Sequence, residues 1–280
     1  MSGAERTRGV GALIASDRGH RKVSSLFRET YLDEAAGYLV AASKIAIVTG
    51  FFVPACGAPE TDGPGGSSAL GRCLARMGKD VLLCTDALCA PALRRCSDAI
   101  GGPEVRVVSS GEDILATGAD ALVFVERLGR ARDGRYYNMR GEDVSVHAVS
   151  LDSAALLAAA RGIPVIAVGD GGNETGMGNF LEALEVLLPE YGPCLSSVGA
   201  TVTLPVDVSD WGGYALCVPL SLPGGRWLGP HPEEIGAMLE ALVRERAVDG
   251  VTRRGELTVD GFPLEVHQTV VRILRAMVGA

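Results

Sequence analysis

The fold is decided by the stretch Ile163-Pro164-Val165-Ile166-Ala167-Val168, which is followed directly by Gly169-Asp170-Gly171-Gly172-Asn173-Glu174-Thr175-Gly176-Met177-Gly178. The first part is a continuous apolar run, which is typical of a strand buried on both faces of a parallel sheet. Helical spacing follows from 179 to 188, so the glycine-rich part is predicted to be a turn between a strand and a helix. Glycines let such a turn bend sharply and bring its N–H groups close to a ligand. Because a purely structural turn needs fewer glycines and no carboxylates, Asp170 and Glu174 favour a ligand site here.

Strands and helices alternate along the rest of the chain. Apolar runs predict strands at 45–49, 81–84, 105–108, 121–125 and 163–168, and helical spacing predicts helices at 31–42, 67–77, 91–100, 153–160, 179–188, 232–246 and 263–278. We therefore predict one α/β domain over 1–280, with a three-layer, doubly wound, mostly parallel sheet and helices on both faces. A Gly/Pro-rich excursion is expected around 192–230, and Asp152 is expected to cap the helix that begins at Ser153.

The composition limits the classes of partner. The 280 residues carry a net charge of −8, with 47% hydrophobic and 5% aromatic residues. No basic stripe with interleaved aromatics is present, so neither nucleic acid nor an anionic membrane is expected as a partner. The segment 1–6 lacks the apolar core of a signal peptide, and seven cysteines without a C-x-x-C pair are typical of a reducing compartment. The expected location is cytoplasmic.

Acidic residues follow the predicted strands at the point where each strand ends. In open α/β sheets, ligands bind outside the carboxyl ends of the strands, and the fold brings several such ends to one edge. A carboxylate in this position often only caps the next helix, which is an equal alternative for Asp86. The residues at these ends are Glu60, Asp62, Asp86, Glu126, Asp170 and Glu174.

The chemistry of these side chains favours a hard cation over a transition metal. The four histidines are scattered without ligand spacing, so a site built on His and Cys is not expected. Carboxylate oxygens suit Mg²⁺ or Mn²⁺, and Glu60, Asp62 and Asp170 are the candidate ligands. The alternative is that the same carboxylates hold a substrate ammonium group without a metal.

A second dense motif, Pro59-Glu60-Thr61-Asp62-Gly63-Pro64-Gly65-Gly66, precedes a predicted helix. An exposed turn would explain this composition. However, the approach Thr49-Gly50-Phe51-Phe52-Val53-Pro54 is too apolar for a solvated loop, so we favour a site. An acidic site for a carboxylate substrate also needs a cation, and Arg127 and Arg140 are candidates because arginine binds carboxylates through two parallel hydrogen bonds. Trp211 could form a wall of the site or pack in the core.

Neither glycine-rich motif matches a nucleotide-binding fingerprint. Gly171 to Gly176 has the spacing of a P-loop, but Met177-Gly178 stands where that loop requires Lys-Ser/Thr. A Mg²⁺-dependent enzyme acting on a phosphorylated or nucleotide substrate stays open as an alternative. A non-catalytic, ligand-binding regulatory domain is the second alternative.

Together these motifs resemble the D-glutamate cyclase family, in particular the C-terminal domain of its mitochondrial members and its stand-alone bacterial members. Thr49-Gly50-Phe51 with Pro59-Glu60-Thr61-Asp62-Gly63-Pro64 is similar to one family signature, and 169–178 is similar to a second. Trp211-Gly212 and the two Asp-Gly turns at 249–252 and 259–261 agree with weaker ones. The resemblance covers about 17–261. Thr175 and Asp210 depart from the family pattern, which has an aliphatic residue and Asn there.

The resemblance implies a Rossmann-like lyase of D-amino acid metabolism that converts D-glutamate to 5-oxo-D-proline with loss of water. The expected partner is a small molecule, D-glutamate or a similar amino acid, and the chain could form a homo-oligomer. The candidate catalytic residues are Asp170, Glu174, Glu60 and Asp62. The candidate substrate-binding residues are Thr49, Gly50, Thr61, Gly171, Gly172, Asn173, Arg140 and Trp211.

Overall fold

The structure, a computed structural model, describes residues 9–279, and its centre is a six-stranded parallel sheet. The strands of this sheet are β1 (Lys44–Thr49), β4 (Asp80–Thr85), β5 (Val105–Val107), β6 (Ala121–Val125), β7 (Val165–Gly169) and β8 (Val202–Pro205). Two short antiparallel hairpins lie outside it and consist of β2 (Phe52–Val53) with β3 (Ala58–Pro59), and β9 (Thr258–Val259) with β10 (Phe262–Pro263). The predicted parallel α/β sheet is confirmed.

The α-helices of the described residues are α1 (Val10–Ile14), α2 (Thr30–Ala41), α3 (Pro64–Arg76), α4 (Ala90–Asp98), α5 (Gly111–Leu115), α6 (Ser153–Ala160), α7 (Leu181–Leu187), α8 (Ser209–Ser221), α9 (Pro232–Arg244) and α10 (Leu264–Val278). They cover both faces of the sheet. Successive residues of a strand point to opposite faces, so their side chains pack into two different hydrophobic cores. Ile45 and Ile47 pack with α2, α3, α4 and α8, whereas Ala46 and Val48 pack with α5 and α6. The predicted three-layer arrangement is therefore confirmed.

The order of the strands locates the edge where a ligand would bind. The sheet runs β5-β4-β1-β6-β7-β8, so the chain extends the sheet outward from β1 in one direction and then returns to extend it from β6 in the other. Counted in chain order within the sheet, this is 3-2-1-4-5-6, the order of dinucleotide-binding doubly wound folds. The reversal lies between the carboxyl ends of β1 and β6, where ligands of such folds bind.

The stretch 192–230, expected as a Gly/Pro-rich excursion, instead supplies the edge strand β8 and the buried helix α8. Its glycines serve close packing rather than a loop. A Cβ atom added to Gly213 would lie 2.7 Å from the backbone of Gly66 in α3. The two helices can therefore approach each other only because these positions carry no side chain.

The prediction that the Asp152 side chain caps α6 is wrong. Asp152 precedes the helix, but its side chain makes no capping hydrogen bond. It instead accepts hydrogen bonds from Arg130 Nε at 2.8 Å and from Tyr136 Oη at 2.6 Å. A buried carboxylate pairs with a cation when one is within reach, and this pairing keeps the pKa of Asp152 low although burial alone would raise it.

The expectation for segment 1–6 concerns residues outside the described part of the chain. Within 9–279, no helix combines the length and the apolar character needed to cross a membrane. None of the seven cysteines, which all lie in this range, forms a disulfide.

Candidate active site

The glycine-rich turn after β7 is organised around its own carboxylate. The N–H groups of Asp170, Gly171 and Gly172 donate to the Glu174 carboxylate at 3.2, 2.6 and 2.7 Å. A Cβ atom added to Gly169 would lie 2.9 Å from Glu174 Oε2. The glycines thus make room for Glu174, and these three N–H groups bind Glu174 rather than a phosphate or an oxyanion of a ligand. The alternative of a phosphorylated or nucleotide substrate gains no support from this turn.

Three buried carboxylates, Asp62, Glu126 and Asp170, meet at the carboxyl edge of the sheet, and we call them the acidic cluster. One oxygen of each lies within 4.8 Å of the others. Ser209, the first residue of α8, contacts all three. Its N–H donates to Asp62 at 3.0 Å and to Asp170 at 3.1 Å, and its hydroxyl donates to Glu126 Oε2 at 2.7 Å.

The electrostatics of the acidic cluster favour binding of a cation. Burial raises the pKa of Asp62, Glu126 and Asp170 well above the ordinary range, the charge of Arg21 offsets part of this rise at Asp170, and neighbouring carboxylates raise all three pKa values further. Three desolvated oxygen donors of this kind could hold a metal ion, and oxygen donors suit hard cations such as Mg²⁺ and Mn²⁺. The cluster contains two of the predicted ligands, and Glu126 stands in the place that the sequence assigned to Glu60.

Glu60 lies beside the acidic cluster rather than in it. Its backbone N–H donates to the Phe51 carbonyl at 2.8 Å, and its carboxylate packs against Gly250, where any side chain would overlap it. The carboxylate accepts no hydrogen bond from the described residues and lines the adjacent cavity. Burial, followed by the charge of Asp260, raises the pKa of Glu60 to about 8.

A cavity of about 450 Å³ opens in front of these carboxylates. It is in the size range of about 300–1,000 Å³ that small-molecule sites occupy. Side chains of both signs line it, so it can hold both the ammonium and the carboxylate of an amino acid. The acidic ones are Glu60, Glu126, Asp170, Glu174, Glu190 and Asp260, and the basic ones are His20, Arg21, Lys22 and Arg140.

Arg21 is a site residue that the sequence did not reveal. Its guanidinium pairs with Asp170 and, at 3.1 Å, with Asp260. The segment that carries it is irregular, with left-handed φ angles of 60° at Asp17, 55° at His20 and 65° at Lys22. No hydrophobic period or motif marks such a segment, so no sequence signal identified Arg21.

Asp260 is the second site residue that the sequence did not reveal. The sequence predicts a turn at this residue, and Asp260 does lie in the turn between β9 and β10, with a φ of 54°. One of its carboxylate oxygens faces Arg21, whereas its buried Oδ2 accepts no hydrogen bond from any residue within 9–279. Turn chemistry in the sequence therefore concealed a carboxylate that lines the cavity.

Arg140 lies at the mouth of the cavity, as a substrate-binding cation would. Its Nη2 donates to the carbonyls of Gly250 at 3.0 Å and Val251 at 3.3 Å, which fixes an otherwise exposed side chain. Gly171 and Asn173 also line the cavity. Asn173 is held by its Nδ2, which donates to the Tyr137 carbonyl at 2.8 Å.

Arg127, the other candidate for binding a carboxylate, has a structural role. It is buried, pairs with Asp86 at 2.5 Å, and donates to the carbonyls of Gly50 at 2.8 Å and Val149 at 2.7 Å. Because Asp86 already compensates its charge, Arg127 holds the end of β1 in place rather than reaching the cavity.

Trp211 also lies away from the cavity, in the main hydrophobic core, so it packs rather than forming a wall of the site. Its indole Nε1 donates to His267 Nδ1 at 2.8 Å, which satisfies the polar atom that would otherwise favour a position near a ligand. Thr61 donates to the Thr258 carbonyl at 3.0 Å, and Thr49 is fully buried. Gly172 faces Leu195 and Leu184.

Fold and site together define a doubly wound α/β protein with a buried acidic cluster at the sheet reversal. Its residues 10–275 match the family model described as D-glutamate cyclase-like, C-terminal, and the chain belongs to that family. The chain is 29% identical to the mitochondrial D-glutamate cyclase of Homo sapiens over an alignment of 325 positions. The alignment covers 99% of this chain and 52% of the human protein, so the chain spans about half the length of that curated relative.

Among solved structures, the fold is similar to a crystal structure of an exopolyphosphatase-related protein from Bacteroides fragilis. The alignment covers 90% of this chain and 58% of that one, with a TM-score of 0.47 and 10% identity.

Proposed function

We propose that this chain converts D-glutamate to 5-oxo-D-proline with loss of water. The observation that carries the proposal is that one cavity contains both buried carboxylates and cationic side chains, in a member of this family. Glutamate presents one ammonium and two carboxylates, so a site for it must offer charges of both signs. Glu126 and Asp170 of the acidic cluster line the cavity, and the exposed Arg140 lies at its mouth.

The charges suggest how the substrate is oriented. We place the α-carboxylate at Arg140, whose guanidinium can donate two parallel hydrogen bonds to a carboxylate. The α-amine then points toward the carboxylates of Glu60 and Asp260, which both line the cavity. In this orientation the γ-carboxyl lies against the acidic cluster, and the chain must fold back on itself to form the five-membered ring.

Glu60 is the side chain best placed to accept a proton from the amine. Its carboxylate faces the cavity without a hydrogen bond from the described residues, whereas both oxygens of Glu174 are engaged by backbone N–H groups. A positioned base contributes roughly 10²–10⁴-fold to the rate. The amine nitrogen attacks the γ-carbon, and the ammonium gives up two protons that leave with one γ-oxygen as water.

Asp62, Glu126 and Asp170 would hold a Mg²⁺ or Mn²⁺ ion, because each offers a buried oxygen within 4.8 Å of the others. Glu126 and Asp170 also line the cavity. Such an ion, when bound, supplies a Lewis acid that polarises the γ-carboxyl group. Ser209 orients these three carboxylates whether or not an ion is present.

The reaction is tested by incubating the protein with D-glutamate and with L-glutamate, in Mn²⁺, in Mg²⁺ and in EDTA. Chiral chromatography of 5-oxoproline is the measurement. We expect product from the D-isomer and its loss in EDTA. Product formed without any divalent ion would support the proposed reaction but contradict its dependence on a metal. Absence of product from both isomers would contradict the proposed reaction itself.

The variant Asp170→Asn tests whether the acidic cluster is needed for turnover when the fold is retained. It keeps the size of the side chain but removes its charge, so we expect turnover to fall by about 10²-fold or more while the far-UV circular dichroism is retained. Asp80→Asn is the matched control, because Asp80 is exposed at the amino end of β4. Near-normal turnover by Asp170→Asn would contradict the assignment of the acidic cluster to catalysis.

A further inference from the structure

The cavity is larger than glutamate requires. A cavity of about 150 Å³ accepts benzene, so roughly 25 Å³ serves each non-hydrogen atom. On that scale glutamate needs about 250 Å³, whereas the cavity has about 450 Å³. The difference of about 200 Å³ is close to the volume of one benzyl group on the same scale.

The additional space has apolar walls on two sides. Phe51, Val53 and Pro54, on and beside the β2 hairpin, form one wall, and Met139, Leu188 and Tyr191 form the other. The first wall continues a small hydrophobic cluster that includes Val248, and the second continues a cluster around Leu184. Glutamate has only a short run of CH₂ groups between its charges, so these walls would have little to contact in that substrate.

Met139 joins the apolar wall to the charged part of the cavity. A Cβ atom added to Gly171 would lie 3.0 Å from Met139 Cγ, so the Met139 side chain lies directly over the glycine-rich turn. The next residue in the chain, Arg140, is the cation at the mouth. A ligand bound between Arg140 and the acidic cluster therefore lies beside an apolar surface.

Building on the cyclase activity proposed above, we propose that the site accepts D-glutamate derivatives whose γ-carboxyl group carries an apolar amide, and cyclises them with release of the amine. The charged half of the cavity would bind the glutamyl part, and the two apolar walls would bind the substituent. The substrate class is thus γ-glutamyl amides of hydrophobic amines.

The chemistry balances without a co-reactant. The α-amine nitrogen attacks the γ-carbonyl carbon, and a new C–N bond closes the ring. The bond from that carbon to the amide nitrogen breaks, and the leaving nitrogen takes up the proton that the α-amine releases. The products are 5-oxo-D-proline and one equivalent of the free amine, and neither oxidation nor reduction occurs.

D-γ-glutamyl-benzylamide, D-glutamine and D-glutamate are the substrates for the test. Benzylamine and ammonia are bases of similar strength, so the comparison of the two amides reports the contact made by the benzyl group rather than the quality of the leaving group. We expect kcat/KM for the benzylamide to exceed that for D-glutamine about tenfold or more. 5-Oxo-D-proline and benzylamine, quantified by chromatography, should appear in equal amounts.

Turnover of D-glutamate without turnover of the benzylamide would overturn this inference and leave the cyclase function standing. Equal kcat/KM values for the two amides would also overturn it, because the apolar walls would then contribute nothing. Absence of 5-oxoproline from all three substrates would contradict both the inference and the proposed function.

Met139→Gln tests the apolar wall directly, since it keeps the length of the side chain and makes it polar. We expect the preference for the benzylamide over D-glutamine to fall about threefold or more. Met77→Gln is the control, because Met77 is a half-buried methionine at the end of α3, outside the cavity. An unchanged preference in Met139→Gln would show that this wall does not bind the substituent.

Discussion

Ser209 shows how one residue can fix the geometry of several others. Its N–H and hydroxyl groups donate to all three members of the acidic cluster, and they do so from the first turn of α8. Asp62 is held further by the N–H of Asp210 at 2.8 Å. Charged oxygens near a helix amino terminus are stabilised by the helix dipole. The three carboxylates are therefore positioned by the fold before any ligand binds.

Arg21→Gln is expected to tighten the binding of a divalent cation. The Arg21 guanidinium pairs with Asp170 and therefore competes for one of the three carboxylates of the acidic cluster. Removing this positive charge should lower the Kd for Mn²⁺ about fivefold or more. Titration calorimetry at constant pH is the measurement.

The control for this comparison is Arg132→Gln, which removes an exposed arginine paired with Glu185 away from the cavity. Its Kd for Mn²⁺ should equal that of the unaltered protein. Weaker binding by Arg21→Gln would mean that the guanidinium supports the ion rather than competing with it.

At the scale of elements, the crossing of α3 and α8 depends on glycine. Gly66 and Gly213 face each other across the two helices, and a Cβ atom at Gly66 would lie 2.8 Å from the backbone of Asp210. Because Asp210 also accepts hydrogen bonds from Gly63 N–H at 3.0 Å and Gly66 N–H at 2.6 Å, the same crossing holds the start of α3 in place.

Gly213→Ala should therefore destabilise the protein, since the new methyl group has no space at the helix crossing. We expect the free energy of unfolding to fall by about 1–3 kcal/mol or more. Gly37→Ala should do the opposite. Gly37 lies in α2 with nothing near its added Cβ, so the free energy of unfolding should rise by about 0.5–1 kcal/mol.

Equilibrium unfolding in urea measures both glycine variants. If the free energy of unfolding falls in both variants, or does not differ between them, the role given to the α3–α8 crossing is contradicted.

The sequence predicts elements well where a hydrophobic pattern is strong. The predicted ranges 121–125 and 153–160 agree with β6 and α6. The helix α8 was missed because glycine and proline usually indicate a loop, whereas here Gly213 allows a close helix contact and Pro219 lies inside a helix buried by its surroundings. Propensity describes a segment alone, and tertiary packing overrode it.

The candidate site was predictable only where residues follow strands. The sequence predicts that Asp62 and Asp170 lie together, because parallel strands end at one edge, and it places Glu126 at such an end without assigning it to the ion. Arg21 could not be found, because it reaches the cavity from an irregular segment far away in the sequence. Which of several strand-end carboxylates converge depends on the order of the strands, and the sequence does not state that order.

For the whole molecule, the stability should depend on pH through His267 in α10. Its Nδ1 accepts from the Trp211 indole, so Nε2 carries the hydrogen that is donated to the Phe262 carbonyl at 3.1 Å. Burial lowers the pKa of this neutral imidazole below its ordinary value. The neutral imidazole therefore contributes its full stabilisation above about pH 6.5, which is the pKa of histidine in an unfolded chain. This stabilisation is lost as the pH falls through the lower pKa of His267 in the folded protein.

His267→Gln should cost about 1–3 kcal/mol at pH 7.5, and this difference from the unaltered protein should shrink as the pH is lowered to 5. Urea unfolding at a series of pH values is the measurement. His147→Gln is the control, because His147 is exposed and its loss should give no such trend. A difference that stays constant from pH 7.5 to 5 would contradict a buried neutral imidazole at 267.

The cavity draws its charged residues from nearly the whole length of the chain, from Arg21 to Asp260 by way of Glu60, Glu126 and Asp170. No short segment contains a binding site of its own, so a ligand can recognise only the folded state. By mass action, any ion or substrate that binds then raises the free energy of unfolding, by about 2.7 kcal/mol at a concentration 100 times its Kd. The melting temperature of the entire chain rises as a result. Thermal shift is thus a direct readout of occupancy in this protein, and it needs no turnover to report a ligand.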